Sequence, residues 1–159
     1  MAFNISNLST WITTFTFPAG VQVVDVNKIP ASVQDSMLPL LSPNPSGPFI
    51  TNVSTAWVTF DTSHRTYELR YVLNYVLFFA SLGAAGTAIY QLYPNLVSTA
   101  MGIAKTFMDH ERPDGSYKGA AEWVRLRDVP HFEPVTDTAK TFHGAQYALE
   151  VLEICQQGV

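Results

Sequence analysis

The sequence predicts an α+β fold: a mainly antiparallel, curved sheet with one long packed helix, a short N-terminal helix and a proline-rich arm. Three observations point to it. Residues 67–77 alternate between apolar and mixed positions, which is the period of a strand. Residues 94–108 set apolar side chains on one broad helical face. Pro30, Pro39, Pro43, Pro45 and Pro48 crowd a single segment, and proline fixes φ and removes a backbone donor.

The elements follow in chain order. Ile5, Leu8, Ile12 and Phe15 recur at spacings of three and four, one face of a short helix. Asn4 or Ser6 caps its start, and Pro18 with Gly20 stops it. Val21 to Val26 reads as a short valine-rich strand. The proline-rich stretch from about residue 28 to 50 is a long ordered arm or loop, not a domain boundary, with one helical turn near Ser32 to Leu38. Its Met37, Leu38, Leu40 and Leu41 need cover, and loops of this length usually serve a function.

Thr55 to Phe60 forms the next strand, and Asp61, Thr62 and Ser63 turn the chain. From Thr66 to Phe78 a straight strand would span about 43 Å at roughly 3.3 Å per residue. A domain of this size has a radius of gyration of only about 15 Å. The strand therefore bends, or belongs to a hairpin that projects. Pro94 opens the long helix, since the first turn tolerates proline, and the helix ends near His110. Trp123 to Val129 is a strand, followed by a loop from Pro130 through Pro134. Gln146 to Ile154 is the last strand.

The 159 residues form one α+β domain, residues 1–159, with 47% hydrophobic and 14% charged side chains. That composition excludes a disordered chain. It also leaves a weakly charged surface suited to cover by partners. The net charge of −4 and nine scattered basic residues argue against tight nucleic-acid binding. Cys155 has no second cysteine to pair with and sits in an apolar run, as a small buried hydrophobe does. The start lacks a signal-peptide pattern. The apolar run from Val72 to Tyr90 alternates and holds Asn74, so it is a poor membrane helix.

The residues predict no catalytic, cofactor-binding or metal-ligating set. The glycines form neither a phosphate loop nor a dinucleotide fingerprint. His64, His110, His131 and His143 lack zinc spacing. Asp109, His110, Glu111 and Asp114 cluster after the long helix without calcium-loop spacing, which reads as a solvated loop. Glu68 and Arg70 read as surface partners for Arg125 or Arg127. Seven tyrosines and ten phenylalanines exceed what a modest core consumes. The surplus marks an interface, for which Leu38, Leu40, Leu41, Phe49, Tyr90, Tyr93 and Phe132 are the candidates.

The order of these elements resembles phage tail terminator proteins, also called tail completion or neck proteins. The matching positions are the N-terminal helix with its valine strand and the segment Ile29-Pro30, Leu38-Pro39-Leu40-Leu41, Pro48-Phe49. They continue through the strands around Trp57 and Tyr71, the helix after Tyr93-Pro94, and the closing Val129, Phe132, Val135 and Phe142-His143-Gly144-Ala145-Gln146-Tyr147. The resemblance is architectural and covers most of the chain. It implies a structural virion protein without catalytic activity, made in the host cytoplasm. It also implies a six-membered ring at the head-proximal end of a tail. The implied partners are further copies of the chain, the tail tube protein and the head–tail connector, with no membrane. DNA would pass through the lumen without specific binding. Two other readings stay open: a head-completion or neck adaptor, and a small-molecule-binding or enzymatic α+β half-barrel.

Overall fold

The computed structural model describes residues 4–60, 64–82, 89–138 and 140–158; the side chains of 59–60, 64–65, 89–90 and 156–158 lie outside that description. Two strands of 18 residues form its axis, β4 (His64–Ser81) and β7 (Thr141–Gly158). They run antiparallel in register from His64 opposite Gly158 to Ser81 opposite Phe142. Alternation explains both strands. Leu69, Tyr71, Leu73, Tyr75 and Leu77 share one face with Ala145, Tyr147, Leu149 and Val151, and all are buried.

Shorter strands complete a seven-stranded sheet. On the outer flank of β4, β3 (Ile50–Phe60) pairs with one half and β2 (Leu40–Pro43) with the other. Beyond β2 lies β1 (Gln22–Val23), which pairs with it in parallel, the one such pairing among the described residues. On the far flank of β7, β5 (Trp123–Leu126) and β6 (His131–Thr136) follow each other along the strand. The sheet is mostly antiparallel and curls into a half-barrel, as the patterning predicted. Register shifts between Thr51 and Ser54, Trp57 and Thr59, and Phe78 and Ala80 supply local bends.

Helix α1 (Ile5–Thr13) and helix α2 (Ile89–Asp109) cover the inner face. Leu8, Trp11 and Ile12 of α1 meet Leu96, Ile103 and Phe107 of α2 and the inner residues of β4 and β7 in one apolar cluster. Trp11 and Phe15 pack edge to face with ring centroids 4.6 Å apart. The buried Tyr147 hydroxyl donates to the carbonyl of Ala100 at 2.7 Å, fixing α2 to β7. α2 begins before Pro94, which lies inside it rather than at its start. The missing N–H there leaves only one early carbonyl without its helical donor.

Part of the proline-rich segment is built into the sheet. Its residues 40–43 form β2, and a 3-10 turn at Asp35–Met37 occupies part of the stretch where one helical turn was expected. Leu40 pairs with Phe78 on the outer face, in a second apolar cluster of Val33, Leu40, Val76, Phe78, Val135 and Phe142. The buried Asp137 accepts from the N–H of Val33 at 2.8 Å, tying the segment to the β6–β7 turn. Further strand limits are corrected, and β3, β4 and β7 each extend beyond the expected Thr55–Phe60, Thr66–Phe78 and Gln146–Ile154. The valine strand shrinks to Gln22–Val23, because Asp25 accepts from the N–H of Asn27 and caps a 3-10 turn at Val26–Lys28. The strand at Trp123 stops at Leu126. Residues after Pro130 form β6 rather than a loop, since Pro134 sits on an edge strand where no ladder N–H is required. The turn expected at Asp61, Thr62 and Ser63 lies outside the described residues.

Gly144 is dictated by close approach. A Cβ at this position would strike the carbonyl oxygen of Leu77 and lie 2.6 Å from Cγ2 of Val135.

Candidate assembly surface

At one end, the central strands meet the apolar part of β3. Trp57 pairs with Tyr67 across β3 and β4, ring centroids 5.6 Å apart, and Tyr67 in turn pairs with Cys155. Large apolar side chains are exposed here on both faces of the sheet, Trp57 beside Tyr67 on the inner face and Ile154, opposite Glu68, on the outer. Val53 is 54%, Trp57 45%, Val58 52% and Ile154 46% exposed. β3 is an edge strand, and no charged residue occurs between Ile50 and Phe60. Apolar edge strands are ready templates for pairing with another chain. A second apolar strip, Tyr93, Val97, Met101 and Met108, runs along the exposed side of α2.

The predicted interface residues divide. Leu40 and Leu41 are 2% and 0% exposed, so they are core residues; β2 carries them into the sheet and leaves them no surface to offer. Leu38 is half-buried against the outer apolar cluster. Phe49 and Phe132 are half-buried against the inner one, Phe49 edge to face on Tyr75 at 5.6 Å. Tyr93 is exposed. The side chain of Tyr90 lies outside the described residues.

The outer face of the sheet is polar in its middle. Arg70 lies 3.3 Å from Glu68 and 3.7 Å from Glu150, while Arg125 lies 3.7 Å from Glu111. Arg70 therefore pairs with acids beside it rather than facing the other arginines. The ring of Trp123 carries the Arg125 guanidinium 4.4 Å and the Arg70 guanidinium 5.8 Å from its centroid.

The acidic cluster after α2 disperses. Asp109 pairs with Lys105 at 2.7 Å, Glu111 with Arg125, and Asp114 accepts from Nε1 of Trp11 at 3.2 Å. The ring of His110 stacks on Phe15 at 4.2 Å. These groups point to separate partners. Among the described residues no group of three His, Cys, Asp or Glu side chains is placed to hold a metal ion.

One buried polar constellation went unpredicted. Glu153 of β7 is only 2% exposed, and the Tyr71 hydroxyl donates to its Oε2. The N–H of Asn4 donates to the same oxygen at 3.1 Å, and Nδ2 of Asn4 donates to Oε1 at 3.2 Å. Burial raises the carboxyl of Glu153 above its ordinary range, against the opposing pull of these three donors. Burial likewise raises the phenols of Tyr71, Tyr75 and Tyr147. Continuing the alternation of Tyr147, Leu149 and Val151 by one step would have placed Glu153 on the inner face. Among the described residues every buried side-chain nitrogen or oxygen has a hydrogen-bond partner, so this cluster is a satisfied tie between α1 and the sheet.

Among the described residues no helix is long and apolar enough to cross a membrane. Compared with protein-family models, curated proteins and solved structures, the chain gives no match.

Proposed function

We propose that the chain is a structural subunit that assembles into a ring at the head-proximal end of a phage tail, ending growth of the tube and joining it to the head connector. The observation that carries this reading is the apolar edge strand β3, with Val53, Trp57 and Val58 exposed beside the end of a long sheet. A closed ring would cover such edges, and a head-to-tail contact repeated around an axis is the simplest closure. The order of helix, proline-rich segment, hairpin, long helix and closing strands supports the same reading, as does the apolar strip on α2. In this role the chain works by fit rather than by chemistry. One ring face would bind the last ring of tube protein and the other the connector, with DNA passing through the lumen.

Light scattering on the purified chain, followed by negative-stain imaging of the same sample, tests it. A ring of several subunits is the expected outcome. A monomer at all concentrations, both alone and with tube protein, overturns it.

A further inference from the structure

The outer face of the sheet holds a cleft of about 130 Å³ that the reading above does not use. It is lined by Asn52, Ser54, Arg70, Val72, Arg127 and Glu150, and so spans the sheet from β3 to the segment after β5. We infer that this cleft receives an acidic side chain from a second copy of the chain, Glu133 of β6; the inference rests on the ring reading.

Charge leads to this occupant. Arg70 already has Glu68 and Glu150. Arg127 is exposed and makes no ion pair among the described residues, although its N–H is held by the carbonyl of Ala148 at 2.8 Å. Its backbone is fixed while its guanidinium has no acid. Asn52 and Ser54 add exposed polar groups, and Asn52 sits at φ 55° where β3 departs from regular pairing. A guanidinium flanked by short polar side chains suits one carboxylate, which arginine binds through two parallel N–H bonds.

Glu133 is the matching acid. It is exposed, lies on edge strand β6, and makes no ion pair among the described residues. Pairing of Glu133 with Gly144, and of Gly144 with Phe78, puts it on the same outer face as the cleft. Within one copy the two form no ion pair with each other; between copies each supplies what the other lacks. Glu68 and Glu150 weigh against a polyphosphate chain here, because they would repel successive phosphates, whereas a single carboxylate meets the unmatched arginine.

A charge swap tests it. The concentration at half-assembly is measured by light scattering for the wild type, Arg127→Glu, Glu133→Arg and the double variant, with thermal melts showing that each is folded. Each single reversal should raise that concentration about tenfold or more, and the double should return it close to wild type. Rings that form equally well in either single variant overturn the inference while leaving the ring reading intact. A double variant as impaired as the singles also overturns it. A wild type that never assembles defeats both. If a short single-stranded oligonucleotide binds the wild type and not Arg127→Glu while assembly is unaffected, the cleft serves phosphate and the inference is wrong.

Discussion

The hydroxyl of Tyr71 donates a hydrogen bond to the buried carboxyl of Glu153, joining the inner faces of β4 and β7 where the N-terminus of α1 meets them. Glu153 also accepts from both the backbone and the side chain of Asn4, so three elements share one carboxyl group. Removing the Tyr71 hydroxyl leaves that group buried with one donor fewer. Tyr71→Phe should therefore destabilise the fold by about 1–3 kcal/mol, read from urea unfolding at neutral pH.

The same carboxyl sets a pH dependence. Its folded-state pKa is raised above the ordinary value of 4.5 by burial. The folded state thus holds the proton more tightly than the unfolded chain. Its contribution is fully present below pH 4.5 and is lost as pH rises through the folded pKa. Glu153→Gln removes this titration while keeping the shape. The stability of the wild type relative to Glu153→Gln should fall as pH rises above that point. Parallel stability profiles for the two proteins would refute it.

Gly144 admits no side chain. Gly144→Ala forces a methyl group into the Leu77 carbonyl, so β4 and β7 must separate or shift locally. Overpacking of this kind costs about 1–3 kcal/mol, and here the obstacle is backbone, which yields little. Thermal unfolding should show a clear drop in midpoint for Gly144→Ala.

Leu41 distinguishes core from interface. It is fully buried on β2, opposite Leu77, as a member of the main apolar cluster. Leu41→Ala should cost about 2–5 kcal/mol, seen in urea unfolding of the monomer at low concentration. A residue serving an interface would instead leave monomer stability unchanged.

Trp57 is predicted to behave in the opposite way. It is half exposed and stacks edge to face on Tyr67. Trp57→Ala should cost only about 1 kcal/mol of monomer stability, the scale of one such aromatic pair. If β3 is an assembly edge, it should also raise the concentration at half-assembly about tenfold or more. Assembly identical to wild type would remove β3 from the contact.

The fold class was legible in the periodicity of the chain. The alternation around Tyr71 and Tyr147 allows only strands with one apolar face, and the apolar stripe after Pro94 allows only a helix laid on that face. Cys155 was likewise legible as a buried thiol, because its neighbours are apolar. The remaining features depend on partners distant in sequence. Leu40 and Leu41 look like arm residues until β4 supplies Phe78 and Leu77 to pair with them. Pro134 signals a loop until β6 proves to be an edge, where its missing N–H does not matter. Glu153 is an ordinary strand glutamate in sequence; it becomes a buried, triply bonded group only because folding carries Asn4 across 149 positions to meet it. Local periodicity is encoded in neighbouring residues, whereas burial and partner choice arise only once remote segments pack together.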